Sequence, residues 1–174
     1  MDIKYEDIIA FHGHSCPGLA IGYRMTKAAL AFLSDSGVKD GEIVAIVEND
    51  SCGVDALQCL SGCTCGKDNL IFKDYGKNAY TLYDRKSGKG IRVIFTPRNI
   101  PDKIREDRHQ LINWLRSVPE KEIVTLQEVH ADAPEPAVIV PSVECEYCKE
   151  YAIETRTRKI DGKVACIPCA EKHR

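Results

Sequence analysis

No apolar run in the 174-residue chain comes near the roughly 20 residues that a membrane-crossing helix needs. Excess charge of one sign is missing too. Twenty-four Lys and Arg stand against 26 Asp and Glu, a formal net charge of −2, so the overall balance draws the chain neither to nucleic acid nor to an anionic lipid surface. The opening residues, M-D-I-K-Y-E-D, carry neither the basic start nor the apolar stretch of a secretory signal, and a cytoplasmic location is expected. No G-x-G-x-x-G fingerprint for nicotinamide or flavin is present, and no internal repeat or low-complexity tract.

What remains is a chain with 44% hydrophobic residues, enough for one domain with a real core plus a small satellite. Its outlying feature is nine cysteines. With no export signal and an odd count, a disulfide framework is not the reading; at this density in a reducing compartment, cysteines act as metal ligands or reactive thiols. They fall in three groups: Cys16; then Cys52, Cys59, Cys63 and Cys65; then Cys145, Cys148, Cys166 and Cys169.

The pattern of apolar residues predicts a mixed α+β core over residues 1–130. A short helix covers Tyr5 to about Phe11, and a second begins at Pro17, with Leu19, Tyr23, Thr26, Leu30 and Leu33 on one face. E-I-V-A-I-V (Glu42–Val47) reads as a strand buried on both sides, and Val54–Leu60 as a short helix. Ala79–Asp84 and Ile91–Thr96 read as a hairpin of an antiparallel sheet, and Pro101 opens a single helix reaching Leu115. Three prolines between His130 and Ser142 deny that stretch a helix, so 131–143 is expected to be an extended linker before a tail at 144–174.

The tail carries Cys145-x2-Cys148 and Cys166-x2-Cys169, a spacing that sets four thiolates at tetrahedral corners about 2.3 Å from a zinc ion. So short a segment cannot bury a core, and metal binding supplies its folding free energy. A strand over Ile153–Lys159, a turn at Asp161-Gly162 and a helix after Cys166 complete a treble-clef finger. Two redox disulfides would be the competing reading; spacing and compartment favour zinc in a closed, structural role. Without interleaved aromatics, Arg156, Arg158, Lys159 and Lys163 read as a solvated face, and nucleic acid is not an expected partner.

The front of the chain reads as a reactive site. His12-Gly13-His14-Ser15-Cys16-Pro17 gathers two imidazoles and a thiol just before a helix, where free N–H groups stabilise an anionic sulfur. These are donors that zinc, iron and copper prefer. Cys52, flanked by Asp50 and Asp55, follows the C-terminal end of the buried strand, a common place for sites. The loop Gly62–Lys67 holds Cys63 and Cys65 and offers N–H groups that an anion could use; Cys59 reads as an apolar filler.

Three blocks between Phe11 and Lys77, H-G-H-S-C-P-G-L-A-I-G-Y-R, V-E-N-D-S-C-G-V-D-A-L-Q and S-G-C-T-C-G-K-D-N-L-I-F-K-D-Y-G-K, resemble the E-subunit family of formylmethanofuran dehydrogenase. The linker and four-cysteine tail match the longer members. The resemblance implies an α+β core with a Cys/His metal site, a C-terminal treble-clef zinc finger, homodimerisation, and association with a molybdenum or tungsten enzyme of anaerobes. It carries the core site to His14, Cys16, Cys52 and Cys63, with Asp55 nearby in sequence, holding zinc or iron.

Two functions follow as expectations. One is a metal-binding redox or accessory protein whose core site keeps an open position for Lewis-acid or thiolate chemistry, in the manner of an oxidoreductase component. The other is a non-catalytic assembly or regulatory module whose finger grips a partner protein or nucleic acid. Thiol redox through Cys63-x-Cys65 ranks third, since so close a pair is strained as a disulfide.

Overall fold

Gly13 sets the direction of everything at the front of the chain. At φ 95° it ends helix α1 (Tyr5–His12), its N–H bonded to the Ile9 carbonyl at 2.7 Å, and four residues later Pro17 opens helix α2 (Pro17–Asp35). In the computed structural model, residues 3–35, 43–130 and 139–173 are described. The chain divides into two units, Met1–Glu135 and Pro136–Arg174. Residues 131–138 of the expected linker lie outside the described residues.

The first unit is built on a five-stranded sheet in the order β2-β1-β3-β4-β5, from β1 (Ile43–Val47), β2 (Leu70–Phe72), β3 (Ala79–Asp84), β4 (Lys89–Phe95) and β5 (Val124–His130). Within it the β1–β2 pair is parallel and the other three pairs are antiparallel. β1 and the β3–β4 hairpin fall where the sequence places them. β2 and β5 are additional strands that the apolar pattern does not single out. β3 is the best-covered strand, buried at all six residues.

Helix α2 lies across this sheet. Met25, Ala29 and Leu33 join Ala45, Val47, Tyr80, Leu82, Ile91 and Val93 in the main core. A second cluster joins α1 through Tyr5 and Ile8, α2 through Leu19 and Ala20, and α3 (Gly53–Ser61) through Ala56. The helix expected from Pro101 to Leu115 is two helices, α4 (Asp102–Glu106) and α5 (Arg108–Ser117). Asp107 leaves helical geometry between them, and its carboxylate accepts from the N–H groups of His109 and Gln110 at 2.8 and 3.0 Å, capping α5. Ile112 and Leu115 of α5 close the second cluster.

One contact governs how α2 meets α3. Gly22 and Gly53 touch backbone to backbone: a Cβ on Gly22 would fall on the Gly53 carbonyl, and one on Gly53 would lie 3.1 Å from the Gly22 Cα. This bare approach lets the two helices cross close together, which sets the start of α2 beside the start of α3.

The second unit is small and has two hairpins. β6 (Ser142–Glu144) pairs with β7 (Tyr151–Ile153), and β8 (Thr157–Ile160) with β9 (Lys163–Cys166) around the Asp161-Gly162 turn, before helix α6 (Ile167–Lys172). The single strand expected over Ile153–Lys159 is broken by a 3-10 turn at Glu154–Arg156. Among the described residues, no helix is long and apolar enough to cross a membrane.

Replacing Gly22 with Ala overpacks the α2–α3 crossing and is expected to cost about 1–3 kcal/mol. Gly66, where a Cβ meets nothing within 4 Å, is the control. Urea unfolding should show Gly22→Ala lowered and Gly66→Ala near the parent; equal midpoints would show that the close approach carries no stability.

Candidate metal centres

The finger's four sulfurs, from Cys145, Cys148, Cys166 and Cys169, lie within 4.8 Å of one another. Four sulfurs about 2.3 Å from a central zinc ion stand about 3.8 Å apart, and Cys148 Sγ is 3.7 Å from Cys166 Sγ. The first pair sits on a tight knuckle: Lys149, at φ 66°, turns the chain so that its N–H bonds the Cys145 carbonyl and the Cys145 N–H bonds the Glu150 carbonyl. The Cys166 N–H donates to Cys145 Sγ at 3.3 Å. N–H groups of Cys148 and Cys166 hold the Cys145 thiol down to about 6, whereas the hydrogen bond to Cys166, with desolvation, pushes Cys169 up to about 12. Sulfurs this close cannot all ionise side by side; a dication is the charge that reconciles them. The cluster fits a small zinc-finger-like site. His173 stands outside it, stacked on Tyr147 with ring centroids 4.7 Å apart.

The core group forms where α1 ends, α2 begins and α3 begins. Donor atoms of His12, His14 and Cys16 lie within 4.8 Å of one another. The rings of His12 and His14 are 4.6 Å apart, and His12 Nε2 is 4.0 Å from Cys16 Sγ. On its other side His12 Nδ1 meets the Asp55 carboxylate at 2.6 Å. The carboxylate accepts, so Nδ1 carries the proton, and in the neutral imidazole the Nε2 lone pair then faces the sulfur. A carboxylate placed behind an imidazole in this way fixes the ring's orientation and makes its free nitrogen a better metal donor. Gln58 steadies Asp55 through a 3.2 Å bond to its second oxygen.

Cys16 is buried, 4% exposed, and its sulfur accepts the Leu19 N–H at 3.3 Å in the first turn of α2. Cys52 directly precedes α3 and lies against the start of α2: a Cβ on Gly18 would sit 3.3 Å from Cys52 Cβ and 3.9 Å from Cys16 Sγ. Burial and then the Cys16 sulfur push the Cys52 thiol up.

Of the residues the sequence points to, the structure therefore brings together His14, Cys16 and Cys52, with Asp55 acting through His12. His12 is the donor that the sequence leaves without a role. Its signal is the density of the H-x-H-x-C turn, but only the fold shows which imidazole faces the thiol. Cys63 is elsewhere. Its side chain is fully buried in the main core, with Sγ donating to the Ile43 carbonyl at 3.3 Å. Ile43 begins β1, whereas Cys52 follows its end, so about 13 Å of strand separates the two positions. Cys59 is half-buried at the edge of the second cluster, and burial raises its thiol. The Gly62–Lys67 loop is closed on itself: Lys67 Nζ donates to the Gly62 carbonyl at 2.9 Å, and the N–H groups of Cys63 and Thr64 bond Ser61 and Asn69.

A mixed α+β unit with a histidine–thiol group, joined to a four-cysteine finger, defines a metal-binding protein with two dissimilar donor sets. The family described as "FmdE, Molybdenum formylmethanofuran dehydrogenase operon" matches residues 11–133. The chain belongs to this FmdE family. It is similar across 98% of its length to the crystal structure of a tungsten formylmethanofuran dehydrogenase FmdE-like protein from Syntrophus aciditrophicus, with 27% identity, a TM-score of 0.78 and 94% of that chain covered. It is also 34% identical to a protein of Archaeoglobus fulgidus described as a probable S-adenosyl-L-methionine-binding protein, over 92% of this chain and 50% of the relative. The chain thus spans about half the length of the curated relative it matches.

Asp55→Asn keeps the shape and removes the charge behind His12. In a competition with a chromophoric chelator it is expected to weaken core metal binding about 10- to 100-fold while leaving the four-cysteine cluster unchanged. Unchanged core affinity would show that His12 does not depend on Asp55.

Proposed function

We propose that the chain is a redox or accessory protein of anaerobic one-carbon metabolism, with a reactive metal centre in the core and a structural zinc ion in the finger. The observation that carries this reading is the line Asp55–His12–Cys16, a carboxylate holding an imidazole whose free nitrogen faces a thiol. His12, His14 and Cys16 would hold the ion, zinc or iron, with Cys52 beside them as a further sulfur. Bound there, the ion would supply Lewis-acid polarisation or, if iron, one-electron chemistry. Asp55 fixes the His12 tautomer, the first turn of α2 gives the Cys16 sulfur a hydrogen bond, and the α2–α3 crossing keeps the sulfurs adjacent. The cleft lined by His12, Cys52 and Asp55 leaves one side of the centre reachable.

The description of the family and the name of the Syntrophus relative support the setting, a tungsten or molybdenum formylmethanofuran dehydrogenase; the proposal adds that the chain works in the cytoplasm, as a homodimer or attached to that larger enzyme. In this role the finger serves assembly. Tyr151 and Ile153 are exposed at 73% and 50% two residues apart on β7, a face suited to a partner protein.

A second reading rests on the same line without an ion. Cys16, His12 and Asp55 are ordered as nucleophile, base and orienting carboxylate, the arrangement that activates a thiol for acyl transfer. Metal analysis of the anaerobically purified full chain separates the two. The metal reading expects two ions per chain, one left in Cys16→Ser, and one left when Cys145 and Cys148 are both serine. A parent chain with a single ion that Cys16→Ser retains would remove the core metal and leave the thiol chemistry.

A further inference from the structure

Cys63 is fully buried in the main core with its Sγ on the Ile43 carbonyl, whereas Cys65, two residues on, is exposed. That neighbouring pair of thiols is thus divided between core and solvent. Cys16 and Cys52 lie differently. Both belong to the second apolar cluster, at the starts of α2 and α3, which the Gly22–Gly53 contact holds together. A Cβ on Gly18 would reach them both, Cys52 Cβ at 3.3 Å and Cys16 Sγ at 3.9 Å, and glycine leaves that space unfilled. The Cys16 sulfur adds to burial in pushing the Cys52 thiol up, as a second sulfur at close range does. The two differ in access. Cys16 is 4% exposed, while Cys52 is half-buried and lines the open cleft.

A reachable thiol backed by a shielded one is the order of attacking and resolving sulfurs in dithiol exchange. We propose that Cys52 and Cys16 form a dithiol–disulfide couple that exchanges with small disulfides, Cys52 attacking and Cys16 resolving. The Cys52 thiolate attacks one sulfur of an incoming disulfide RSSR. The S–S bond breaks, RS⁻ departs and takes up the Cys52 proton, and a Cys52–S–S–R bond remains. Cys16 then passes its proton to His12 Nε2, 4.0 Å from its sulfur, and its thiolate attacks the Cys52 sulfur. The second RS⁻ leaves with that proton, and the chain holds a Cys16–Cys52 disulfide. Two protein thiols are oxidised, and one RSSR is reduced to two RSH. Excess RSH runs the same steps backward and restores the thiols. The inference needs no ion in the core centre and does not rest on the metal reading; an ion held by Cys16 would be released as that sulfur is oxidised.

Glutathione disulfide tests it on the anaerobically purified full chain. Products are read by mass spectrometry of alkylated peptides, and metal content is measured before and after. The parent should gain a link between the peptides carrying Cys16 and Cys52 and release two glutathiones for each link. Cys16→Ser should stop at the first step, releasing one glutathione and keeping the other on Cys52. Cys52→Ser should give no link and leave Cys16 unmodified. Cys65→Ser, which alters an exposed thiol lining the same cleft, should still form the link. No link in the parent, whatever its core metal content, a link that survives Cys52→Ser, or a Cys16→Ser chain without glutathione on Cys52 would each overturn the inference. The metal counts keep the two proposals apart. A link formed in a chain that carried no core ion upholds the couple and sinks the metal reading; a core ion lost in Cys16→Ser, with no link in the parent, does the reverse.

Discussion

Two glycines in contact decide where the reactive groups of this protein lie. With a methyl group on Gly22, α2 could not rest on α3 at its present distance, and the turn before α2 would draw away from the turn before α3. His14 and Cys16 ride on the first turn; Cys52 ends the second, and Asp55 follows in the first turn of α3. Tyr80, whose hydroxyl bonds Ser51 and touches Gly53, supports the same junction from the sheet, and burial holds that hydroxyl protonated far above its ordinary range. The core site is thus a product of helix packing, with the sheet as its foundation.

The two sulfur groups solve the problem of close like charges differently. In the finger, four thiols converge and backbone N–H groups give one of them a low titration point, so the cluster is arranged around a positive charge. In the core, imidazoles replace half of the sulfur, and a carboxylate outside the donor set compensates by polarising His12. On the proposed reading, an ion held by His12, His14 and Cys16 alone would keep a position for a further ligand, and the cleft opens beside His12.

Much of the architecture could be read before any coordinates. β1, the β3–β4 hairpin, the first two helices and the four-cysteine finger announce themselves through β-branched runs, helical spacing, a turn dipeptide and paired cysteines. β5 carries Val124, Leu126 and Val129, but it is an edge strand of mostly exposed residues, and alternation that weak passes for loop. β2 is three residues long, below the reach of any periodicity. The break at Asp107 is legible as a capping residue within an otherwise helical pattern, but the apolar stripe outweighs it. The site divides the same way. Cys16 and Cys52 stand out by residue type and position, whereas the exchange of Cys63 for His12 depends on the course of α3, after which Cys63 reaches the Ile43 carbonyl at the opposite end of β1 from Cys52. Residue order alone does not hold that information.

Chain connectivity draws a last distinction between the two centres. Cys16 and Cys52 are 36 positions apart (52 − 16), Cys148 and Cys166 only 18 (166 − 148). Doubling a loop adds only about 0.6 kcal/mol to its closure entropy, so the longer span in the core is not the decisive difference. What differs is what closes each loop. In the core, apolar burial across two clusters already holds the ends together, so the ligand geometry exists before an ion arrives and can discriminate among ions by fit. In the finger the ion itself closes the loop, so binding and folding are one event. On the proposed reading, the core centre would exchange its ion at constant structure and the finger would not.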